Sequence, residues 1–156
     1  MEKFPLTREG FDALEKELKN LKFTERPKVI AAISEARSHG DLSENAEYAA
    51  AKEKQSFTEG RIQELEVVLS RAQVIDPTAN KGGVVRFGAV VLVMDADTEV
   101  ESRYKIVGDY EADITVNKIS LSSPLAKALI GKEVGDIAEY IAPMGKKSFE
   151  ILDIIY

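Results

Sequence analysis

The chain has 156 residues, a length that fits one medium domain or two small ones. Its net charge of −6 argues against a freestanding nucleic-acid binder, because such proteins normally present a basic surface. With no Cys and one His, the sequence excludes disulfides, thiol catalysis and a His-rich metal site within one chain, and no apolar run is long enough to span a membrane.

The N-terminal segment has the periodicity of a coiled coil, with Thr7 as the predicted helix cap. Its apolar residues recur at coiled-coil spacing, and they are Phe11, Leu14, Leu18, Leu21, Ile30 and Ile33. Pro27 interrupts this pattern. A proline inside a helix removes a hydrogen bond and clashes with the preceding turn, so we expect a kink there. Gly40 predicts the end of the helix.

A second helix is predicted to begin between Asp41 and Ser43. Its apolar seam consists of Phe57, Ile62, Leu65, Val68, Leu69 and Ala72. The short connection between two helices of similar length favours an antiparallel hairpin. Such a hairpin is too long to wrap into a compact domain of this size. We therefore expect residues 1–77 to form a coiled-coil hairpin that projects into solvent.

The chain changes character after Asp76 and Pro77, where strand-like segments take over. The predicted strands are 84–94, 102–107, 114–121, 137–141 and 148–156. A proline start, good helix formers and a glycine stop predict one short helix from Pro124 to Gly131. Strands with one short helix indicate a small α+β domain over residues 78–156. The predicted fold class of the whole chain is α+β.

The most informative stretch runs from His39 to Tyr48, between the two predicted helices. A hairpin tip has no core to fill, and this one offers carboxylates at Asp41, Glu44 and Glu47. Mg²⁺ usually takes one or two carboxylates from a protein and its other ligands from water or phosphate. The spacing of Asp41 and Glu44 is also that of a capping box, in which both serve the helix backbone. From the residues alone, both interpretations stay open.

Basic residues lie near the tip on both predicted arms. Arg37, Lys52 and Lys54 form either a solvated helix surface or a small patch for phosphates or a nucleic-acid 3′ end. Tyr48 is suited either to stacking on a base or to packing against the opposite arm. In the second half of the chain, the segment 122–124 is most simply a cap for the short helix.

The residues at the tip strongly resemble those of the Gre factors, a family of bacterial transcript cleavage factors. The match runs over Arg37-Ser38-His39-Gly40-Asp41-Leu42-Ser43-Glu44-Asn45-Ala46-Glu47-Tyr48. The segments 26–33, 55–62, 72–76 and 123–131 resemble the same family, and among its subtypes the chain looks closest to GreA. The resemblance implies an N-terminal coiled-coil hairpin and a C-terminal domain similar to the FK506-binding fold.

The resemblance also implies a transcription elongation factor that acts inside bacterial RNA polymerase and is not an enzyme by itself. Its C-terminal domain would dock at the rim of the polymerase secondary channel through Ser122, Ser123, Pro124 and Lys127. The hairpin would enter the channel and stimulate the polymerase's own cleavage of backtracked nascent RNA, which releases arrested complexes. We expect a cytoplasmic monomer without membrane association.

By the same resemblance, Asp41 and Glu44 are the tip acids that help to hold a second Mg²⁺ shared with the polymerase. The isolated chain would bind no metal, because the polymerase supplies the other ligands. Arg37 and Lys52 would contact the 3′ end of the nascent RNA. Ser43 and Lys52 depart from residues common in the family, a basic residue and an arginine. This implies a weaker basic patch, suited to short cleavage products.

Three other functions compete with this interpretation. A relative that blocks the secondary channel without cleavage has a differently arranged and more acidic tip, so Asp41 with Glu44 favours cleavage. A prolyl isomerase is suggested only by the fold resemblance of the second half, and fold does not fix function. A simple coiled-coil scaffold would not need the tip acids.

Overall fold

The protein is described by a computed structural model over residues 2–77 and 83–156. The chain forms two compact units, one of Phe11–Arg71 and the other of Met1–Gly10 with Ala72–Tyr156. The sequence-based boundary instead divided the chain into 1–77 and 78–156. The N-terminal residues join the second unit because β1 (Phe4–Leu6) pairs in parallel with β2 (Ala72–Val74). Residue 78, the predicted start of the second domain, lies outside the described residues.

The first unit is helical. Its helices are α1 (Arg8–Asn20), whose first residues belong to the second unit, α2 (Arg26–Arg37) and α3 (Ala46–Ser70). Thr7 caps α1 as predicted, since its Oγ1 accepts a hydrogen bond from the Gly10 amide at 3.0 Å. The predicted start of the second helix at 41–43 is wrong, because Asp41 caps a separate short turn of 3-10 helix, Leu42–Glu44, before α3.

α2 and α3 are packed side by side in opposite directions. Asn45 contacts Ala36 where the chain turns back, whereas Arg26 pairs with Glu59 farther along the arms. The Arg26–Glu59 pair is bidentate, with N–O distances of 2.9 and 2.7 Å. The predicted antiparallel hairpin is therefore present.

A turn of π-helix over Leu21–Glu25, called here the wide turn, joins α1 to α2. Pro27 follows directly, in the first turn of α2. A π-helical turn contains more residues than an α-helical turn, and it lies where the Pro27 ring would clash with a regular preceding turn. The interruption predicted at Pro27 therefore takes the form of a wide turn through which the helical arm continues.

The wide turn moves the apolar seam of the first arm by one residue. Leu21 is half-buried and Val29 is buried, although they lie eight positions apart. A heptad step from Leu21 would lead to Lys28, which is exposed. The prediction that Ile30 belongs to the seam is wrong, because its neighbour Val29 occupies the seam and the Ile30 side chain is 54% exposed.

The seam of α3 contains small and polar members. Its buried residues are Ala51, Thr58, Ile62, Leu65 and Val68. The predicted positions of Ile62, Leu65 and Val68 are confirmed. Phe57 was also expected there, but it is 73% exposed because its neighbour Thr58 occupies the seam. The sequence-based seam considered only apolar residues, so it did not include the buried Thr58.

The second unit is built on a five-stranded sheet in the order β5-β4-β3-β7-β6. Its elements are β3 (Val90–Asp95), β4 (Glu101–Val107), β5 (Lys118–Ser120), α4 (Pro124–Leu129), β6 (Ile137–Ala142) and β7 (Gly145–Ile155). Neighbouring strands are antiparallel except β4 and β5, which are parallel. Buried side chains of α4 join those of the sheet in one core. The predicted α+β class is confirmed.

Two strands are shorter than the sequence predicts. The segment 84–94 becomes a strand only at Val90, because Gly88 adopts φ +88° in a preceding turn. In the segment 114–121, a 3-10 turn is followed by Asn117 at φ +56°, and the strand begins only at Lys118. In both places a residue with positive φ comes before the strand, so the extended backbone cannot begin earlier. Among the described residues, no helix combines the length and apolarity needed to cross a membrane.

Glu111 fixes the N-terminal residues within the second unit. Its carboxylate accepts hydrogen bonds from the backbone amides of Thr7 at 2.9 Å and Gly108 at 3.0 Å. A Cβ atom at Gly10 would lie 1.9 Å from the Glu111 Oε1 atom. Glycine at position 10 therefore leaves the space that this carboxylate occupies.

The exposures of Leu65 and Phe57 predict opposite outcomes for two truncations on α3. Leu65→Ala should lower the free energy of unfolding by about 2–5 kcal/mol, because Leu65 is fully buried. Phe57→Ala should change it by no more than about 0.5 kcal/mol, because this ring lies mostly in solvent. Urea unfolding of both variants measures the difference, and equal destabilisation would contradict the seam described here.

Candidate functional site

The loop between α2 and α3 is the candidate site, and it is shaped by the two helix ends. α2 ends at Arg37, and the Ser38 amide bonds to the Glu35 carbonyl at 3.0 Å. Gly40 then turns the chain with φ +120°, a conformation that L side chains rarely adopt. The next residues form the 3-10 turn Leu42–Glu44, and α3 begins at Ala46.

Asp41 holds the start of this 3-10 turn. Its Oδ1 atom accepts hydrogen bonds from the Ser43 amide at 3.0 Å and from the Ser43 hydroxyl at 2.9 Å. These two bonds stabilise the charged carboxylate, so they hold the pKa of Asp41 below its ordinary value. The other oxygen, Oδ2, has no hydrogen-bond partner in the part of the chain that the structure describes.

Half of the predicted capping box is present. Asp41 does cap a helical turn, but the Glu44 carboxylate accepts no hydrogen bond within residues 2–77 and 83–156. Asn45, not Asp41, caps α3. The reason is geometric, because a 3-10 turn between the two acids separates Glu44 from the backbone amide that a capping box would require.

The acids converge on one opening. Asp41 precedes the 3-10 turn as its cap, and Glu44 is the last residue of that turn. A shallow depression at the tip is lined by His39, Asp41, Glu44, Asn45, Ala46 and Glu47. His39 Nε2 lies 3.8 Å from a carboxylate oxygen of Glu47. Within the described residues, no group of three or more His, Asp or Glu side chains is arranged to hold a metal ion.

Asn45 is the functional residue that the sequence analysis missed. Its Oδ1 accepts a hydrogen bond from the Tyr48 amide at 3.0 Å, and its Nδ2 donates to the Ala36 carbonyl at 2.5 Å. The first contact is a normal N-cap, and an asparagine shortly before the alanine run 49–51 could have signalled it. The second contact joins the two arms, and nothing in the local sequence indicates it.

The basic residues predicted near the tip, Arg37, Lys52 and Lys54, each contact a different residue. The Arg37 guanidinium lies over the Tyr48 ring, 5.9 Å from its centroid, so the tyrosine does pack against the opposite arm. Lys52 donates a hydrogen bond to Gln55 at 2.9 Å. Lys54 lies 3.9 Å from Glu25 and therefore belongs to a cross-arm ion pair.

The segment predicted to dock begins α4. Ser123 caps that helix through a hydrogen bond from the Ala126 amide at 3.2 Å, as the sequence indicated. The Ser122 hydroxyl donates to Asp109 at 2.8 Å. Pro124 and Lys127 are exposed. Both serines are therefore bonded within their own unit, whereas Pro124 and Lys127 present free surface.

Comparison with known proteins gives relatives over the whole chain. Family models for the N-terminal and C-terminal parts of the transcription elongation factors GreA and GreB match residues 4–74 and 79–156. Transcription elongation factor GreA of Hyphomonas neptunium is 62% identical over 156 residues, covering 100% of this chain and 99% of its own. Transcription elongation factor GreA of Caulobacter sp. K31 is 61% identical over 154 residues, covering 99% and 98%.

A crystal structure of GreA factor homolog 1 from Thermus thermophilus aligns with 99% of this chain and 100% of its own. The sequence identity is 29% and the TM-score is 0.45. The resemblance stated from the tip residues is confirmed by the family models and by the GreA relatives.

The two bonds from Ser43 predict the acid titration of Asp41. Ser43→Ala removes the hydroxyl donor and keeps the amide donor, so the pKa of Asp41 should rise toward its ordinary value. The stabilisation from these bonds is present above the pKa of the unfolded chain and is lost as the pH falls through the lower folded value. Carbon-13 NMR of the Asp41 carboxyl carbon measures the shift.

Ser38→Ala is the matched control for this titration. The Ser38 hydroxyl also lies at the tip, but it donates to the Glu35 carbonyl at 2.6 Å. Its removal should leave the Asp41 titration unchanged. An unchanged pKa in the Ser43→Ala variant would show that the hydroxyl bond is absent in solution.

Proposed function

The chain belongs to the GreA/GreB family of transcription elongation factors, and on this basis we propose how its tip performs that role. The protein stimulates RNA polymerase to cleave backtracked nascent RNA and so releases arrested complexes. Family membership supports this role and not that of a channel-binding inhibitor without cleavage activity. The observation that carries the proposal is the convergence of Asp41 and Glu44 on one exposed depression.

The free oxygens of the tip acids fit Mg²⁺. Asp41 keeps Oδ2 unbonded among the described residues while Ser43 orients the carboxylate through Oδ1, and Glu44 is exposed. Asp41 is charged at neutral pH, and its hydrogen bonds from Ser43 hold its pKa below the ordinary value. Mg²⁺ prefers carboxylate oxygens and takes only one or two from a protein site of this kind. When bound, the ion would supply Lewis-acid chemistry and an activated water at a phosphodiester.

The chain contributes a minority of the ligands that an octahedral Mg²⁺ ion needs. Water, the RNA phosphate and carboxylates of the polymerase supply the others, so the complete site exists only in the complex. The protein is then a factor that completes the active site of another enzyme and has no nuclease activity alone. It works as a monomer in the cytoplasm.

Arg37 and Lys52 bind the phosphates of the RNA. They flank the tip on the two arms, and cations of this kind neutralise phosphate charge. Arg37 is held over the Tyr48 ring, which limits the positions that its guanidinium can take. With a net charge of −6 on the chain, RNA binding is local to the tip and needs the polymerase to deliver the strand.

The start of α4 is the docking surface for the rim of the polymerase secondary channel. Ser122 and Ser123 hold this segment in shape through their bonds to Asp109 and Ala126. Pro124 and Lys127 stand exposed next to them and are available to a partner. A preformed surface of this kind reduces the ordering that binding would otherwise require.

The tip proposal predicts a loss of cleavage without a loss of binding. Asp41→Asn and Glu44→Gln each remove a negative oxygen and keep the size of the side chain. Asparagine caps helices as well as aspartate does, so the fold should be unaffected. RNA cleavage in stalled elongation complexes should fall at least about 100-fold (about 2.7 kcal/mol), and added Mg²⁺ should restore part of the rate by mass action.

Glu53→Gln is the matched control, because Glu53 is an exposed glutamate on α3 away from the depression. It should cleave at the wild-type rate. Polymerase affinity, measured by competition with labelled wild-type protein, should be the same for all variants. Normal cleavage by the Asp41→Asn, Glu44→Gln double variant would refute the role of the acids.

The docking proposal predicts weaker binding when charge is reversed on α4. Lys127→Glu should raise the Kd for polymerase at least about tenfold (about 1.4 kcal/mol), since it places like charge against a surface that accepts a cation. Arg86→Glu makes the same charge change on an exposed residue of the same unit and should bind normally. Equal Kd values for the two variants would place the docking surface elsewhere.

A further inference from the structure

The Asn45 side chain joins the end of α2 to the start of α3 through hydrogen bonds to backbone groups of both helices. Its Oδ1 accepts a hydrogen bond from the Tyr48 amide in α3, and its Nδ2 donates one to the Ala36 carbonyl in α2. A primary amide can accept and donate at the same time, whereas an aspartate in its place could only accept. The choice of asparagine among good capping residues is explained by the second, cross-arm bond.

The cross-arm bond is not needed to satisfy the Ala36 carbonyl. That oxygen already accepts a hydrogen bond from the His39 amide at 3.2 Å. Removal of the Asn45 amide nitrogen therefore leaves the Ala36 carbonyl with a hydrogen-bond partner. What the removal takes away is the bond that closes the loop. The bond connects residues nine positions apart and closes the segment between them.

Asp41 and Glu44 both lie inside the closed segment. Within this segment Gly40 is conformationally free and the Leu42 side chain is exposed. The other contacts between the two ends of the loop, Arg37 with the Tyr48 ring and His39 with Glu47, are longer than hydrogen bonds. Without the bond, the two carboxylates would sample more positions relative to the arms. A displacement of about 1 Å at a reacting centre can cost roughly 100-fold in rate.

We propose that Asn45 is a positioning residue for RNA cleavage, which closes the tip loop through its amide nitrogen and so holds Asp41 and Glu44 in the arrangement that cleavage requires. This proposal rests on the proposed function of the tip acids. It assigns Asn45 no contact with RNA or metal. Its effect is on the rate of cleavage within the complex and not on docking.

Asn45→Ser separates the cap from the cross-arm bond. Serine is a good N-cap but has no amide nitrogen, so α3 should keep its helix content by circular dichroism. Cleavage at saturating factor should fall about tenfold, with Kd for polymerase within twofold of wild type. Ser38→Ala, which deletes a tip hydroxyl bonded to the Glu35 carbonyl, should cleave normally. If Asn45→Ser loses helix content, Asn45→Asp replaces it as an equal cap without a donor and should show the same loss.

A spectroscopic measurement tests the bond without any cleavage. In the isolated wild-type protein, the Asn45 side-chain NH₂ group should exchange its hydrogens more slowly than those of the exposed Asn20 and Asn117. Equal exchange would overturn the proposal, and so would wild-type cleavage by Asn45→Ser. Normal cleavage by the Asp41→Asn, Glu44→Gln variant would overturn the tip function itself, and the exchange result would still report on the bond.

Discussion

The pairing of α2 with α3 is the interaction on which the tip depends, since the loop has its shape only while the arms lie side by side. A narrow line of buried residues, including Val29, Ala36, Thr58 and Ile62, forms this contact. Cross-arm ion pairs such as Lys22–Glu66 accompany it, but exposed pairs contribute only about 0–1 kcal/mol each. Full burial of a single branched apolar side chain contributes about 1.5–3 kcal/mol. The seam therefore supplies the stability, and the ion pairs help to fix the register.

The tip concentrates negative charge where helix termini favour it. Asp41 caps the 3-10 turn, and Glu47 lies in the first turn of α3. The positive end of a helix dipole stabilises such carboxylates in their charged form. The same field opposes a cation, so an ion held here gains from further negative ligands brought by a partner. This electrostatic argument supports the proposal of a metal site that is complete only in the complex with the polymerase.

Much of this could be predicted from the sequence, and the failures have physical causes. The hairpin, the α+β class and the cap at Ser123 follow from periodicity and local residue chemistry. Ile30 and Phe57 were misplaced because in each case a smaller neighbour, Val29 or Thr58, occupies the seam. The cross-arm bond of Asn45 could not be predicted, because it depends on where α2 ends relative to α3. The roles proposed for Arg37 and Lys52 depend on an RNA strand, which the chain itself does not contain.

The wide turn has a consequence for chain length. It adds one residue to an otherwise continuous helical arm, so deletion of one residue among 22–25 would leave an uninterrupted heptad register with Val29 in the seam. The same deletion in a regular part of the arm would instead rotate the residues downstream of it by about 100° relative to α3. A sequence alignment that places a gap elsewhere in this arm would pair inward residues with outward ones. The wide turn is thus the position at which the arm can lose one residue without changing which side chains face α3.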